Sequence, residues 1–236
     1  MECEYPAVAW SSLAIVDRKE MVEVDRTVIE DVGISLLQMM ENAGRNLADL
    51  AIRRFKPERT VVVAGSGGNG GGGMAAARHL FNRGVAIEVL LIKEDISPAA
   101  SQQRDVLRRM GVSVHLDRAV LDTADLVIDA VIGYSLSGAP HGVAADVMQQ
   151  MCELNVPILA LDTPSGVDVT TGEAFDPHIE ATATMTLAAP KSGLVGHPAV
   201  GEHFLADISV PRSVYNSLGK RMGNPFAQST IVRITG

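Results

Sequence analysis

The chain has 236 residues and a formal net charge of −8, and 20% of its residues are charged. This balance is typical of a folded globular protein. The acidic surplus argues against a nucleic acid or an anionic membrane as the main partner, because both attract basic surfaces. Apolar runs are shorter than the roughly 20 residues that span a bilayer, and the acidic beginning of the chain is unlike a secretory signal. We therefore predict a soluble, cytoplasmic protein.

In chain order, the sequence predicts helices first and then an alternation of strands and helices. Apolar residues spaced by three and four predict two helices between about residues 13 and 55, divided near Gly33. Later strands are predicted at 60–64, 87–92, 112–116, 126–131, 156–161, 183–187 and 203–210, and later helices at 74–84, 98–110 and 143–154. Strands that are apolar throughout indicate a parallel sheet covered by helices on both faces. We predict one domain over 1–236, with a loose lead-in at 1–12, a core at about 13–211 and a tail at 212–236.

A glycine-rich segment, residues 65–73, lies between a predicted strand and a predicted helix. Seven of its nine residues are glycine, and each glycine lowers helix stability by about 1 kcal/mol relative to alanine. Such density indicates a backbone with positive φ or one that approaches another group closely. The N–H groups of the following helix start would then face an anion such as a phosphate. The segment lacks the Gly-Lys-Ser/Thr of a P-loop. We predict a nucleotide-binding turn, with a flexible turn as the alternative.

Two carboxylates, Asp129 and Asp162, end apolar strands, at the edge where ligands bind in parallel α/β sheets. A carboxylate there is costly to bury without a partner or a cation. With Asn69 and Ser165 they form a set of oxygen donors that suits K⁺ or Mg²⁺. A carboxylate whose pKa is raised in a closed site also transfers protons. For Asp129, a turn or helix-cap role is the alternative.

With these segments in place, the sequence resembles the NAD(P)H-hydrate epimerase family, the YjeF N-terminal domain type, over about residues 20–211. The order and spacing of several modest motifs carry the resemblance. In chain order they are 21–26, 40–45, 65–80, 129–138, 162–168, 188–194 and 207–211.

The resemblance implies a single three-layer α/β/α, Rossmann-like domain. It also implies an isomerase that interconverts the R and S forms of hydrated NADH and NADPH in nicotinamide nucleotide repair. Asn69, Asp129 and Ser165 are then expected to contribute to a K⁺ site, and Asp162 to lie against the hydrated nicotinamide as the proton-transfer group. The residues expected to bind the dinucleotide are Gly68, Asn69, Gly70, Gly71, Gly72, Gly133, Tyr134, Ser135, Leu136, Ser137, Gly138, Ala139 and Asp162. A homodimer through the N-terminal helices and a dehydratase on a separate chain are the expected partners.

The sequence departs from the family pattern in the glycine-rich segment. The usual pattern is Gly-Pro-Gly-Asn-Asn-Gly-Gly-Asp-Gly, and here Gly68 replaces the first asparagine and Gly72 the aspartate. In addition, Ser137 stands where many relatives have a lysine or arginine. A lost hydrogen bond typically costs about 0.5–1.5 kcal/mol. A non-catalytic nucleotide-binding or scaffold module of the same fold is therefore the alternative to the enzyme.

Overall fold

A nine-stranded sheet forms the centre of the protein, whose computed structural model describes residues 5–236. The strands are β1 Ala7–Ala9, β2 Arg59–Ala64, β3 Ala86–Leu91, β4 Ser113–His115, β5 Leu126–Ala130, β6 Ile158–Leu161, β7 Ala183–Leu187, β8 Glu202–Ala206 and β9 Ile231–Thr235. They lie in the order β1-β9-β8-β7-β6-β5-β2-β3-β4. Neighbouring strands are parallel except β8 and β9, which are antiparallel. The predicted, mostly parallel sheet is confirmed.

Helices cover both faces of this sheet. They are α1 Arg18–Arg26, α2 Leu36–Phe55, α3 Gly68–Phe81, α4 Pro98–Arg109, α5 Gly142–Glu153 and α6 Arg212–Ser217, with a π-helical turn at Thr27–Val32. Val62 of β2 packs in one apolar cluster with Leu47 of α2 and Met74 of α3, whereas its neighbour Val61 packs in another with Met148 of α5. Successive strand residues point to opposite faces. The fold is therefore the expected three-layer α/β/α arrangement.

Two capping boxes define the N-terminal helices. Asp17 accepts a hydrogen bond from the backbone of Glu20, whose side chain accepts one from the backbone of Asp17. Ser35 and Gln38 make the same exchange at the start of α2. Between the helices, Gly33 takes a φ of +86°, which a side chain disfavours. The predicted division near Gly33 is confirmed.

The glycine-rich segment is mostly helical, so the prediction of a turn was wrong for residues 68–73. Only residues 65–67 connect β2 to α3, and no glycine of the segment has a positive φ. Close packing explains Gly70 and Gly73. A Cβ atom on Gly73 would lie 2.5 Å from the Cβ of Ala130, and one on Gly70 would lie 1.9 Å from the carbonyl oxygen of Gly65. The helix thus approaches the sheet more closely than a side chain allows. Of the two reasons for glycine that the sequence indicated, positive φ and close approach, the structure shows close approach.

Both ends of the chain contribute strands to the sheet, so the sheet extends beyond the predicted core at 13–211. The predicted lead-in contains β1, although residues 1–4 lie outside the described part, and the predicted tail contains α6 and β9. β9 pairs with β1 on one side and with β8 on the other. Such short strands are stabilised by partners that are distant in sequence, which a local pattern does not reveal. Within residues 5–236, no helix is both long and apolar enough to cross a membrane.

Candidate active site

A cavity of about 640 Å³ opens beside the carboxyl ends of the central strands. It lies at the switch point of the sheet, where β2 has β3 on one side and β5 on the other. In open α/β sheets this is the position at which ligands bind. Its wall combines Asp25 of α1, Met40 of α2, Asn69 of α3, Tyr134 after β5 and Asp162 after β6.

The start of α3 forms one side of the cavity. Gly67 is the N-cap residue and supplies no side-chain hydrogen bond to the first turn. A Cβ atom on Gly67 or Gly68 would meet nothing within 4 Å, so the backbone of this turn is open. The first N–H groups of a helix lack partners within the helix and favour an anion. This end of the cavity therefore suits a phosphate group.

Asp129 is completely buried at the end of β5 and is held by the chain after β6. Its carboxylate accepts hydrogen bonds from the Ser165 hydroxyl at 2.6 Å, the Ser165 backbone at 2.8 Å and the Val131 backbone at 3.1 Å. Burial raises the pKa of Asp129 to about 6, against the opposing effect of these hydrogen bonds. The Ser165 oxygen also accepts a bond of 2.9 Å from the backbone of Ile132. The two strand-end loops are thus locked together.

Asn69 adjoins this locked pair of loops. A Cβ atom on Gly133 would lie 3.2 Å from the Cγ of Asn69, and Gly133 directly follows the Ile132 that binds Ser165. The three residues expected to hold K⁺ therefore lie close together. The Nδ2 atom of Asn69 is buried and has no hydrogen-bond partner among residues 5–236. The amide, carboxylate and hydroxyl oxygens are the donors that a hard cation prefers, so the residues present fit K⁺.

Asp162 lies at the end of β6 with only 4% of its surface exposed, and its φ of +70° is unusual for a residue with a side chain. Its Oδ1 atom accepts hydrogen bonds from the Leu187 backbone at 3.2 Å and from the Lys191 ammonium group. Lys191 is completely buried, and it also donates to the Thr186 hydroxyl at 3.1 Å and the Leu187 carbonyl at 2.9 Å. Sequence reasoning missed Lys191 as a site residue. The signal available was a lysine inside the motif at 188–194.

A second carboxylate, Asp25, enters the cavity from α1. The Tyr134 hydroxyl donates to its Oδ2 atom at 2.5 Å. Burial raises the pKa of Asp25, and the negative charge of Asp162 raises it further. The hydrogen bond from Tyr134 and the positive charge of Lys191 act in the opposite direction. Burial, followed by the charge of Asp25, also raises the pKa of Tyr134. Asp25 belongs to the matched motif at 21–26, but the sequence did not identify it as a site residue.

The residues expected to bind the dinucleotide fall into three groups. Gly68, Asn69, Gly72, Gly133, Tyr134, Ser135 and Asp162 line the main cavity. A neighbouring cavity of about 370 Å³ is lined by Ser135 and by Leu136, Ser137, Gly138 and Ala139. Gly70 and Gly71 line neither, because they are buried in the packing of α3. A Cβ atom on Gly71 would lie 2.6 Å from the Cε of Met40.

Comparisons with known proteins show the family of the chain. Residues 36–193 match the family described as YjeF-related protein N-terminus. The chain is 41% identical to the NAD(P)H-hydrate epimerase of Dehalogenimonas lykanthroporepellens over 91% of this chain and 90% of that protein. It is 36% identical to the bifunctional NAD(P)H-hydrate repair enzyme Nnr of Moorella thermoacetica, over 85% of this chain but 41% of that longer protein.

The fold also matches a solved structure. The crystal structure of the yeast protein ynu0 (YNL200c) aligns with a TM-score of 0.83 at 25% identity, covering 94% of this chain and 100% of that one. The family match, the relatives and the fold thus agree with one another. This chain belongs to the YjeF-related protein N-terminus family.

Proposed function

We propose that this chain is an NAD(P)H-hydrate epimerase, an isomerase that interconverts the R and S forms of hydrated NADH and NADPH. The observation that carries the proposal is the position of Asp162, held by Lys191 in the wall of the switch-point cavity. The identity of 41% to a relative named for this activity supports it.

The reaction needs proton transfer inside a closed site. In the hydrate, a hydroxyl group sits on the ring carbon beside the nitrogen, and this carbon is the centre that is inverted. A bond to this carbon must break and re-form on the other face of the ring, which requires an acid and a base. Asp162 is the proton-transfer group in our proposal, and such a group typically contributes about 10²–10⁴-fold to a rate. Met40 and Leu161 supply apolar surface for the ring.

The dinucleotide part of the substrate would lie along the start of α3 and the loop after β5. The backbone N–H groups after Gly67 suit its phosphates, and the loop from Gly133 to Ala139 extends the site into the neighbouring cavity. The acidic residues Asp25 and Asp162 at the other end favour the uncharged hydrated ring over a phosphate. This orientation places the stereocentre beside Asp162.

Asn69, Asp129 and Ser165 would hold K⁺, whose positive charge would stabilise the buried carboxylate and the loops that carry it. Thermal unfolding in potassium chloride and in choline chloride tests this independently of turnover. We expect potassium to raise the melting temperature of the wild type, and Asn69→Ala to remove the difference. Equal melting temperatures for the wild type in the two salts would exclude a K⁺ site.

We also propose the domain organisation, partners and location that the sequence predicted. The continuous sheet from β1 to β9 supports a single YjeF N-terminal-like domain that includes both ends of the chain. Exposed apolar side chains on the N-terminal helices support a homodimer. These side chains belong to Val22, Ile29, Val32 and Leu36. The longer relative named as a bifunctional repair enzyme supports cooperation with a dehydratase, which we place on a separate chain in the cytoplasm.

A non-catalytic nucleotide-binding module is the second candidate. It is favoured by Gly68 and Gly72, which line the cavity without offering a side chain to a ligand. Under this alternative, the protein binds hydrated NADH but does not change its R to S ratio.

Epimer exchange separates the two candidates. Purified protein with K⁺ is given one epimer of hydrated NADH, and the second epimer is followed by chromatography or NMR. We expect exchange well above the spontaneous rate, and its loss in Asp162→Asn. Binding without acceleration would support the module and exclude the enzyme.

A further inference from the structure

We propose that Asp25 is a second catalytic carboxyl group, which works with Asp162 on opposite faces of the hydrated ring. The inference rests on the proposed epimerase function and deepens it. Inversion removes a hydroxyl group from one face of the ring and adds water to the other. One proton must reach the departing oxygen, and another must leave the incoming water on the far side. A single carboxyl group fixed on one wall serves only one of these positions.

The cavity supplies two carboxyl groups from two different layers of the fold. Asp162 follows β6 at the edge of the sheet, whereas Asp25 belongs to α1. Among the described residues that line the cavity, these two carry its carboxyl groups, and the remainder are apolar, glycine, hydroxyl or amide residues. They also interact electrostatically, since the charge of Asp162 acts on Asp25. Both therefore border the space that the ring would occupy.

The surroundings of the two carboxyl groups differ in a way that assigns their roles. Asp162 has the Lys191 ammonium group against it, which is a direct counter-charge. Asp25 has no direct cationic contact among residues 5–236; the groups that act on it are Tyr134, Asp162 and, at longer range, Lys191. Burial raises the pKa of Asp25. Two titratable groups whose environments differ in this way are the usual basis for an acid and base assignment.

The proposed step is balanced without a redox partner. Protonated Asp25 donates its proton to the departing hydroxyl group while the carbon–oxygen bond breaks, and the ring nitrogen lone pair forms a carbon–nitrogen double bond. Water then adds to the opposite face and gives a proton to the Asp162 carboxylate, while the nitrogen regains its lone pair. The products are the other epimer and the water released on the first face. After the forward reaction Asp162 is protonated and Asp25 is ionised. The reverse reaction starts from this state, so the two carboxyl groups together hold one proton in either direction.

Asp25→Asn tests the proposal because asparagine retains an oxygen that accepts the Tyr134 hydrogen bond but cannot donate the catalytic proton. We expect kcat for epimer exchange to fall by about 100-fold or more while KM changes by less than about threefold. The wild type should show a bell-shaped pH profile, and the variant should lose the limb on which activity falls as Asp25 deprotonates. Asp25→Glu should restore part of the rate, since it restores the carboxyl group.

Glu23→Gln is the matched control on α1, because the Glu23 side chain is 45% exposed and pairs with Arg26. This variant should keep the kcat and the KM of the wild type. If Asp25→Asn keeps the wild-type kcat while Asp162→Asn is inactive, Asp25 only positions Tyr134 and the proposal is wrong, although the epimerase function stands. If the wild type itself does not accelerate exchange, the proposed function fails, and this inference fails with it.

A measurement on the wild type alone guards against a variant that does not fold. In water enriched in oxygen-18, loss and re-addition of water should place the label in the product hydroxyl at the rate of epimerisation. Epimerisation without incorporation of the label would exclude the step, whatever the variants show.

Discussion

The Lys191 ammonium group and the Asp162 carboxylate form an ion pair in which the two side chains are 0% and 5% exposed. The ammonium group has three donors, and the Thr186 hydroxyl and the Leu187 carbonyl accept the other two hydrogen bonds. The lysine is therefore fully satisfied in a place with no access to water. Its position fixes a carboxylate at the edge of the cavity and links β6 to the chain that follows β7.

Lys191→Met should destabilise the protein strongly, because it leaves the Asp162 carboxylate buried without its counter-charge. Removing one partner of a buried pair typically costs about 3–5 kcal/mol. Urea unfolding followed by circular dichroism measures the loss. The double variant Lys191→Met with Asp162→Asn should recover part of it, and a double variant no more stable than Lys191→Met would contradict the explanation.

Gly73→Ala should destabilise the protein through overpacking, because its Cβ atom would lie 2.5 Å from the Cβ of Ala130. Such forced contacts typically cost about 1–3 kcal/mol. Gly68→Ala is the matched control in the same helix, since a Cβ atom there meets nothing within 4 Å. Its free energy of unfolding should equal or exceed that of the wild type. Equal unfolding midpoints for the two variants would contradict the packing argument.

Gly68→Asn should strengthen substrate binding, because it returns a polar side chain to a position that lines the cavity and has room for one. One new hydrogen bond is worth about 0.5–1.5 kcal/mol, or roughly 2–10-fold in KM. Steady-state kinetics of epimer exchange measures the effect. Gly84→Asn, in the turn that follows the C-terminal end of α3, should leave KM unchanged, and an equal effect of both substitutions would count against a specific contact.

His203 should make the protein less stable in mild acid. Burial, with the charge of Lys191 as a smaller cause, lowers its pKa to about 3, whereas an unfolded histidine has a pKa of about 6.5. Between about pH 3 and pH 6.5 the unfolded chain binds more protons than the folded protein. The stability that the neutral His203 contributes is therefore fully present above about pH 6.5 and is lost as the pH falls. The expected slope is about 1.4 kcal/mol per pH unit.

His203→Phe tests this contribution and keeps an aromatic ring against Trp10, which lies 5.1 Å from the histidine ring. The free energy of unfolding is measured against pH between pH 4 and pH 7 for the wild type and the variant. The two slopes should differ by the amount that corresponds to about one bound proton. Parallel curves would show that His203 titrates normally in the folded protein.

Val22→Glu should weaken the expected homodimer, since Val22 is 53% exposed on α1 among other apolar side chains. A buried, unpaired charge at an interface is strongly unfavourable. Light scattering should give the dimer mass for the wild type and a lower mass for the variant. Val143→Glu, at a residue on α5 that is 56% exposed, is the control and should remain dimeric. A monomeric wild type would exclude the dimer.

The sequence by itself determined the alternation of strands and helices, the placement of Asp129 and Asp162 at strand ends, and the family. These features depend on local apolar patterns and short motifs. It also indicated that the glycine-rich segment approaches another group closely. The sequence did not reveal that six residues of this segment belong to α3, because helix propensity argues against so many glycines. The close contacts of Gly70, Gly71 and Gly73 with distant or neighbouring segments appear only in the folded structure.

Only the tertiary structure decided the remaining features of the site and the sheet. Tyr134 and Asp25 are 109 residues apart in the chain, and Lys191 and Asp162 are 29 apart, so no local pattern links them. β1 and β9 come from opposite ends of the chain, and their hydrogen bonds form only when the sheet brings them together. Burial and counter-charge distinguish Asp25 from Asp162, and both arise from packing between distant segments rather than from neighbouring residues.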